Sequence, residues 1–273
     1  MKHLSNVNEV LTLESAHKKD GRNLTSKDLD TIKNASIIYD NDSILWVGET
    51  KNLPPEYNDV DTVNLSGHCI TPEIVDSHTH LVFAGNRSNE YSMRLNGADY
   101  QEIAKAGGGI LATSMATKKA SDEELFNLAV ERIERLYSYG IGTIEIKSGY
   151  ALNFEDEYRC SKVIKRLKDH FSPKINIVNT FMAAHAVPKE FDSSEKYLNE
   201  LVIPLMEKLN SEGMIDVVDI FHEQGYFTLE DTKNLFTKAH SLNLKCKIHA
   251  DEFGDNGGAI VASQFQALRA DHL

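Results

Sequence analysis

The sequence predicts an α/β fold in two parts: a short β-rich segment, then a parallel sheet built from repeating strand–helix units. Three observations lead there. Residues 1–69 carry short apolar runs separated by polar turns. From Ile70 onward, apolar runs of strand length alternate with amphipathic segments of roughly 15 to 20 residues, the pattern of parallel βα units. The strands of this second part read as near-continuously apolar, as expected where both faces of a sheet are covered.

In the first part the clearest element is Ser36–Glu49, where two apolar runs flank Asp40-Asn41-Asp42-Ser43, a hairpin signal. In the second part strands are expected at Ile70–Asp76, Gly142–Lys147, Ile175–Ala183, Ile215–Phe221, Lys245–His249 and Ala267–Leu273. Between them, Leu125, Leu128, Ala129, Ile133 and Leu136 recur at helical spacing. That helix opens on Ser121-x-x-Glu124, a capping box, and stops at Gly140. Further helices are expected at Glu155–Phe171, Glu195–Leu209, Leu229–Leu242 and Gly257–Gln266. A closed βα barrel needs eight strands, whereas this sequence supplies about six. The sheet is therefore either open or an unfinished barrel. The sequence stops at Arg269-Ala270-Asp271-His272-Leu273, inside an expected strand, which favours the unfinished barrel.

Composition excludes several classes. Apolar residues at 41% and charged residues at 26% are ordinary for a globular protein. The net charge of −12 leaves no basic footprint for nucleic acid or anionic lipid, so a small-molecule substrate is expected, with neither nucleic acid nor membrane as partner. Cys69, Cys160 and Cys246 are far apart and odd in number, which argues against a disulfide framework or a thiolate zinc site. The amino terminus lacks a signal-peptide core and no stretch approaches the ~20 apolar residues of a membrane span. A cytoplasmic location is expected.

The strongest chemical signal is Ile74-Val75-Asp76-Ser77-His78-Thr79-His80, a strand that runs into His-x-His. Residues i and i+2 of an extended chain point the same way, so one metal ion can accept both imidazoles at the strand's C-terminal end, the rim on which barrel enzymes place their chemistry. His249 ends the Lys245–His249 strand, His272 ends the last one, and His185 follows the Ile175–Ala183 run. Histidine at four strand ends suits zinc or iron better than Mg²⁺ or Ca²⁺. Glu252, three residues after His249, is placed to exchange protons with a substrate or a water, or alternatively to cap the next helix. Arg87 follows the His pair and offers a fork to a carboxylate. Tyr150, in Lys147-Ser148-Gly149-Tyr150, offers a hydroxyl. His222-Glu223 could line the site or be scaffold. Gly107-Gly108-Gly109-Ile110 lacks the Lys-Ser/Thr of a phosphate loop and reads as a flexible substrate-covering loop.

The blocks Asp76–Arg87, Gly107–Ile110, Glu145–Tyr150, His185-Ala186-Val187-Pro188 and His249-Ala250-Asp251-Glu252-Phe253 together resemble the amidohydrolase superfamily, and within it the imidazolonepropionase family. The resemblance implies a TIM-type (β/α)₈ barrel, incomplete here, over residues 70–273, with residues 1–69 forming part of a small β-sandwich. It implies one Zn²⁺ or Fe³⁺ ion per subunit, with His78, His80 and His249 as ligands. It further implies Glu252 and His272 as catalytic groups, and Arg87, Tyr150, His185 and Glu252 as contacts to the substrate, 4-imidazolone-5-propanoate. The family's remaining ligand is an aspartate on the eighth strand, which would lie beyond residue 273, so these residues alone are expected to be inactive or poorly folded. A homodimer is compatible with the resemblance. Two other readings stay open: an amidohydrolase acting on a different cyclic amide or nucleobase, and a metal-binding fragment without catalysis.

Overall fold

A computed structural model describes residues 1–98 and 108–273. Gly107 of the glycine stretch lies outside the described residues. The chain divides into two compact units, Met1–Glu73 and Ile74–Leu273.

In the first unit, β1 (Lys2–Leu11), β2 (Thr31–Tyr39) and β3 (Ile44–Glu49) pair antiparallel, while β4 (Thr62–Asn64) and β5 (Cys69–Ile70) both pair parallel to β1. The expected β2–β3 hairpin is present. Its turn is held by Asp40, whose Oδ1 accepts from the backbone N–H groups of Asp42 and Ser43 at 3.0 and 2.8 Å, a side chain imitating a backbone turn. Val7, Val10, Ala35 and Ile37 form this unit's buried cluster.

The second unit is a six-stranded parallel sheet in the order β11-β10-β9-β8-β7-β6. Its strands are β6 (Ile74–Asp76), β7 (Ile141–Lys147), β8 (Asn176–Ala184), β9 (Val217–His222), β10 (Lys245–Ala250) and β11 (Arg269–Asp271). The expected strand Ile70–Asp76 is in fact two: Ile70 ends β5 in the first unit, and β6 begins at Ile74. Pro72 between them has no N–H for a ladder, which accounts for the break.

Three of the expected helices form as Asp122–Tyr137, Phe154–Phe171 and Leu229–Ser241, and in the structure their N-caps Ser121, Asn153 and Thr228 each accept from a backbone N–H one turn on. They cover one face of the sheet. Leu125, Ala129 and Ile133 pack with Ile144, Ile146, Ile164 and Ile177, and Leu205, Leu235 and Phe236 pack with Val218, Ile220, Cys246 and Ile248.

Not all of the strands are the near-continuously apolar runs expected. While β8 keeps a continuous buried apolar run over Phe181–Ala184, β7, β9 and β10 send Ile144, Ile146, Val218, Ile220, Cys246 and Ile248 into the helix layer, and Glu145, Lys147, Asp219, Lys247 and His249, of the other parity, are buried too, as is Asp271 of β11. The polar face is concave. Although β6 and β11 stand at opposite ends of the strand order, Lys247 Nζ donates to Ser77 O at 2.8 Å, Arg269 donates to Ser77 Oγ, and His78 Nδ1 lies 2.9 Å from Asp271 Oδ2. The sheet is thus curled as a half-barrel whose two edges approach at the catalytic rim of such folds.

Phe236 is fully buried beneath Phe265, ring centroids 5.7 Å apart. Phe236→Ala is expected to destabilise the Ile74–Leu273 unit by about 3–5 kcal/mol, measured by denaturant unfolding. A loss under about 1 kcal/mol would place this helix outside the cooperative core.

Candidate metal centre and substrate cavity

Because β6 ends at Asp76, His78 and His80 sit just past its C-terminal end, and His249 sits one residue before the end of β10. Their ring centroids are 4.6 Å (His78–His249), 5.9 Å (His78–His80) and 5.9 Å (His80–His249) apart. One nitrogen from each ring falls within 4.8 Å of the others. His80 Nδ1 and His249 Nε2 are buried and meet no hydrogen-bond partner among the described residues. Three converging imidazoles, two of them with a buried, unpartnered nitrogen, fit a zinc or iron ion. Burial, with His185, His249 and Lys147 nearby, holds the His80 imidazole well below the usual histidine range, so it is neutral and able to ligate at pH 7.

The other expected site residues gather around this cluster. His272 lies 5.0 Å from His78 and 5.1 Å from His249. His185 stacks on His80 at 5.1 Å, and Tyr150 stands 5.2 Å from His80. Burial, then the neighbouring His249, pushes His185 down to about 3. Its Nδ1 is 3.0 Å from Gly149 O, an acceptor, so Nδ1 carries the proton and Nε2 is left for the site. Arg87, Tyr150, His185 and Glu252 line one cavity of about 280 Å³, together with Arg94, Ile110, Phe221, Tyr226 and Phe253. A larger cavity of about 620 Å³, between Ser193–Glu195 and Thr228–Thr237, contains none of these groups.

Loops carry these side chains, and polar anchors hold the loops. Glu157, fully buried, accepts backbone N–H bonds from Gly149, Ala151 and Leu152 at 3.0, 2.7 and 3.0 Å, clamping the turn that bears Tyr150. Burial raises its pKa, against which those donors work. Gly149 is required here: at φ +110 a Cβ would stand 2.4 Å from Met182 O. Arg132 donates to Leu81 O and Phe83 O at 2.6 and 2.7 Å and lies over the Phe83 ring, bracing the stretch between the His pair and Arg87. Arg87 Nε donates to Thr113 Oγ1 at 2.9 Å. Thr113 belongs to the helix Ile110–Lys119, which hydropathy does not reveal because its buried residues are Thr113, Ser114 and Thr117. His222 and Glu223 are scaffold. His222 bonds Asn256 O and Thr232, and Glu223 accepts from Phe253 N and the Asn256 side chain, bracing the loop of Glu252.

Beneath the histidines lies a layer of buried charge that the apolar reading of the strands missed. Lys147 Nζ is 2.5 Å from Asp219 Oδ2 and 3.0 Å from Glu145 Oε2. Lys247 Nζ is 2.7 Å from Glu145 and 3.3 Å from Asp271. The available signal was parity: Glu145 and Lys147, Lys247 and His249, and Arg269 and Asp271 are i, i+2 pairs in otherwise apolar strands. Burial alone would lower Lys147, but Asp219 and Glu145 raise it above the usual lysine value. Burial would raise Asp219 and Asp271, but His249 with Lys147, and His78 with Lys247, hold them below the usual carboxylate range.

The chain shares its fold with solved amidohydrolases. An amidohydrolase from a Sargasso Sea environmental sample superposes on all of it with TM-score 0.60, at 14% identity and over 58% of that chain. No protein-family model matches the chain. In sequence it is a homologue of the imidazolonepropionases: 41% identical over 243 residues to the one so named from Paracoccus denitrificans, covering 89% of this chain and 60% of that protein, and 36% identical over 271 residues to that from Christiangramia forsetii, covering 99% and 65%. The chain therefore spans about three fifths of the length of these relatives.

Two outcomes are expected at this site. His80, His185, Asp219 and Asp271 all have folded-state pKa values below their ordinary ones, so the unfolded chain binds their protons more readily. Their stabilisation is complete above the ordinary histidine value of about 6.5 and is lost as pH falls, through the histidines first and the carboxylates below about 4. The melting temperature of the metal-free chain should fall steadily from pH 7 to pH 4, followed by circular dichroism. A flat or rising profile would contradict the assignment. Separately, Gly149→Ala should weaken ligand binding in the cavity and lower stability by more than about 1 kcal/mol, because the side chain meets a backbone carbonyl.

Proposed function

We propose that the protein is an imidazolonepropionase: a metal-dependent hydrolase that opens the ring of 4-imidazolone-5-propanoate to N-formimidoyl-L-glutamate. The observation that carries this reading is that Arg87, Tyr150, His185 and Glu252 line one cavity beside the His78–His80–His249 cluster. The names of its sequence relatives support it. Turnover is proposed for a polypeptide of the relatives' length, and ligand binding for these 273 residues.

His78, His80 and His249 would hold one Zn²⁺ or Fe³⁺ ion, donors that suit either metal. When bound, such an ion supplies Lewis-acid chemistry, polarising a carbonyl and bringing the pKa of water toward ~7. The chain's own residues do the rest. Arg87, steadied by Thr113, offers its guanidinium fork to the substrate propionate. The Tyr150 hydroxyl and the His185 Nε2 orient the ring. Glu252 takes the proton that water loses as it attacks the ring carbonyl, and passes it to the departing ring nitrogen as the C–N bond breaks. His272 stands by the rings of His78 and His249 to donate toward the carbonyl oxygen. Phe221, Tyr226 and Phe253 wall the cavity.

The test is equilibrium binding of an imidazole bearing a propionate side chain to the zinc-loaded chain. Arg87→Met should weaken it tenfold or more, about 1.4 kcal/mol or above, while a neutral nucleobase binds both forms equally and weakly. Equal binding of the carboxylate ligand by both forms, or preference for the nucleobase, would favour an amidohydrolase of different specificity.

A further inference from the structure

Asp219, His249 and Asp271 form a second group whose ligand atoms lie within 4.8 Å of one another. A second cation does not suit it. Asp219 Oδ2 already accepts from Lys147 Nζ at 2.5 Å, Asp219 Oδ1 accepts from the Ile220 N–H at 2.8 Å, and Lys147 and Lys247 stand 3.7 and 3.3 Å from Asp271. Two ammonium groups occupy the ground a cation would need.

We infer instead that Asp219 is a positioning residue, which locks His249 in the tautomer that turns Nε2 toward the other two histidines. Asp219 Oδ1 lies 3.1 Å from His249 Nδ1 in an aligned hydrogen bond, with both residues buried. The carboxylate receives N–H donors at both oxygens, so it is the acceptor and His249 Nδ1 carries the proton. Nε2 is then the free lone pair, and it is this atom that is buried without a partner. A carboxylate behind a ligating imidazole fixes ring and tautomer and raises the basicity of the other nitrogen. Lys147 completes the chain from behind: it anchors Asp219 from β7 so that the carboxylate on β9 can point at the ring on β10. Asp271 is a comparison built into the same layer. It lies 2.9 Å from His78 Nδ1, but neither of its oxygens makes an aligned hydrogen bond.

The reading of His249 as a metal ligand underlies the consequence for affinity, but the tautomer can be measured without metal. In the metal-free full chain labelled with ¹⁵N-histidine, the His249 ring should show a protonated Nδ1 and an unprotonated Nε2. Asp219→Asn should abolish that preference, since an amide can present either a donor or an acceptor. Asp271→Asn, of equal burial, should leave it intact. In Zn²⁺ titrations against a chelating indicator, Asp219→Asn should bind about 10- to 100-fold more weakly than the parent chain. A wild-type His249 protonated on Nε2, or unchanged His249 shifts and Zn²⁺ affinity in a folded Asp219→Asn variant, would overturn the inference. The wild-type spectrum alone suffices if the variant does not fold. A chain with the expected tautomer that takes no Zn²⁺ would support the role of Asp219 in setting the ring and count against the hydrolase reading of the site.

Discussion

The constraint on which the rest of the Ile74–Leu273 unit depends is the pairing of buried charge on the concave face of its sheet. Unpaired, an ammonium or carboxylate there would cost several kcal/mol, and removing one partner of a buried pair typically costs about 3–5 kcal/mol. Lys147 and Lys247 therefore have to meet Glu145, Asp219 and Asp271, which stand on β7, β9 and β11. Only a curled sheet brings these strands within reach of one another across the concave side. The same network reaches Ser77 on the far edge through Lys247 and Arg269, and so sets how closely β6 approaches β11. Attraction within such a layer contributes little net stability; its effect is on geometry.

Geometry is what the rim requires. His78, His80 and His249 stand on two strands that are not neighbours in the sheet, and their convergence follows from the curl beneath them. The cavity beside them is held by a different device. Glu157, Arg132, Thr113 and Glu223 each spend their hydrogen-bonding capacity on a loop: the first two and Glu223 on backbone groups, Thr113 on the Arg87 side chain. Rigid scaffold and anchored loops are the usual division of labour in a βα fold, where the sheet is shared among many chemistries and the loops differ.

Much of this was legible in the sequence because its causes are local. One helix start was marked by Ser121, whose side chain answers a free N–H group one turn on. The hairpin was marked by Asp40, and the candidate metal rim by two histidines at strand spacing. What stayed hidden has non-local causes. The helix Ile110–Lys119 buries Thr113, Ser114 and Thr117, two of which bond the Phe83–Arg87 loop, so it carries no apolar stripe for periodicity to find. Pro72 broke the expected strand Ile70–Asp76 between two units, a division that depends on which sheet each half joins. The charged layer was overlooked because Glu145, Lys147, Asp219 and Lys247 are unremarkable one at a time. Their burial is intelligible only once the curl makes them neighbours.

The central claim is that three imidazoles from two separated strand ends hold one metal ion. X-ray absorption at the zinc edge of the loaded chain tests it most directly. The expected result is a nitrogen shell at about 2.0–2.1 Å with the multiple scattering of three imidazole rings. A sulfur shell near ~2.3 Å, or a shell of oxygen atoms alone, would contradict it.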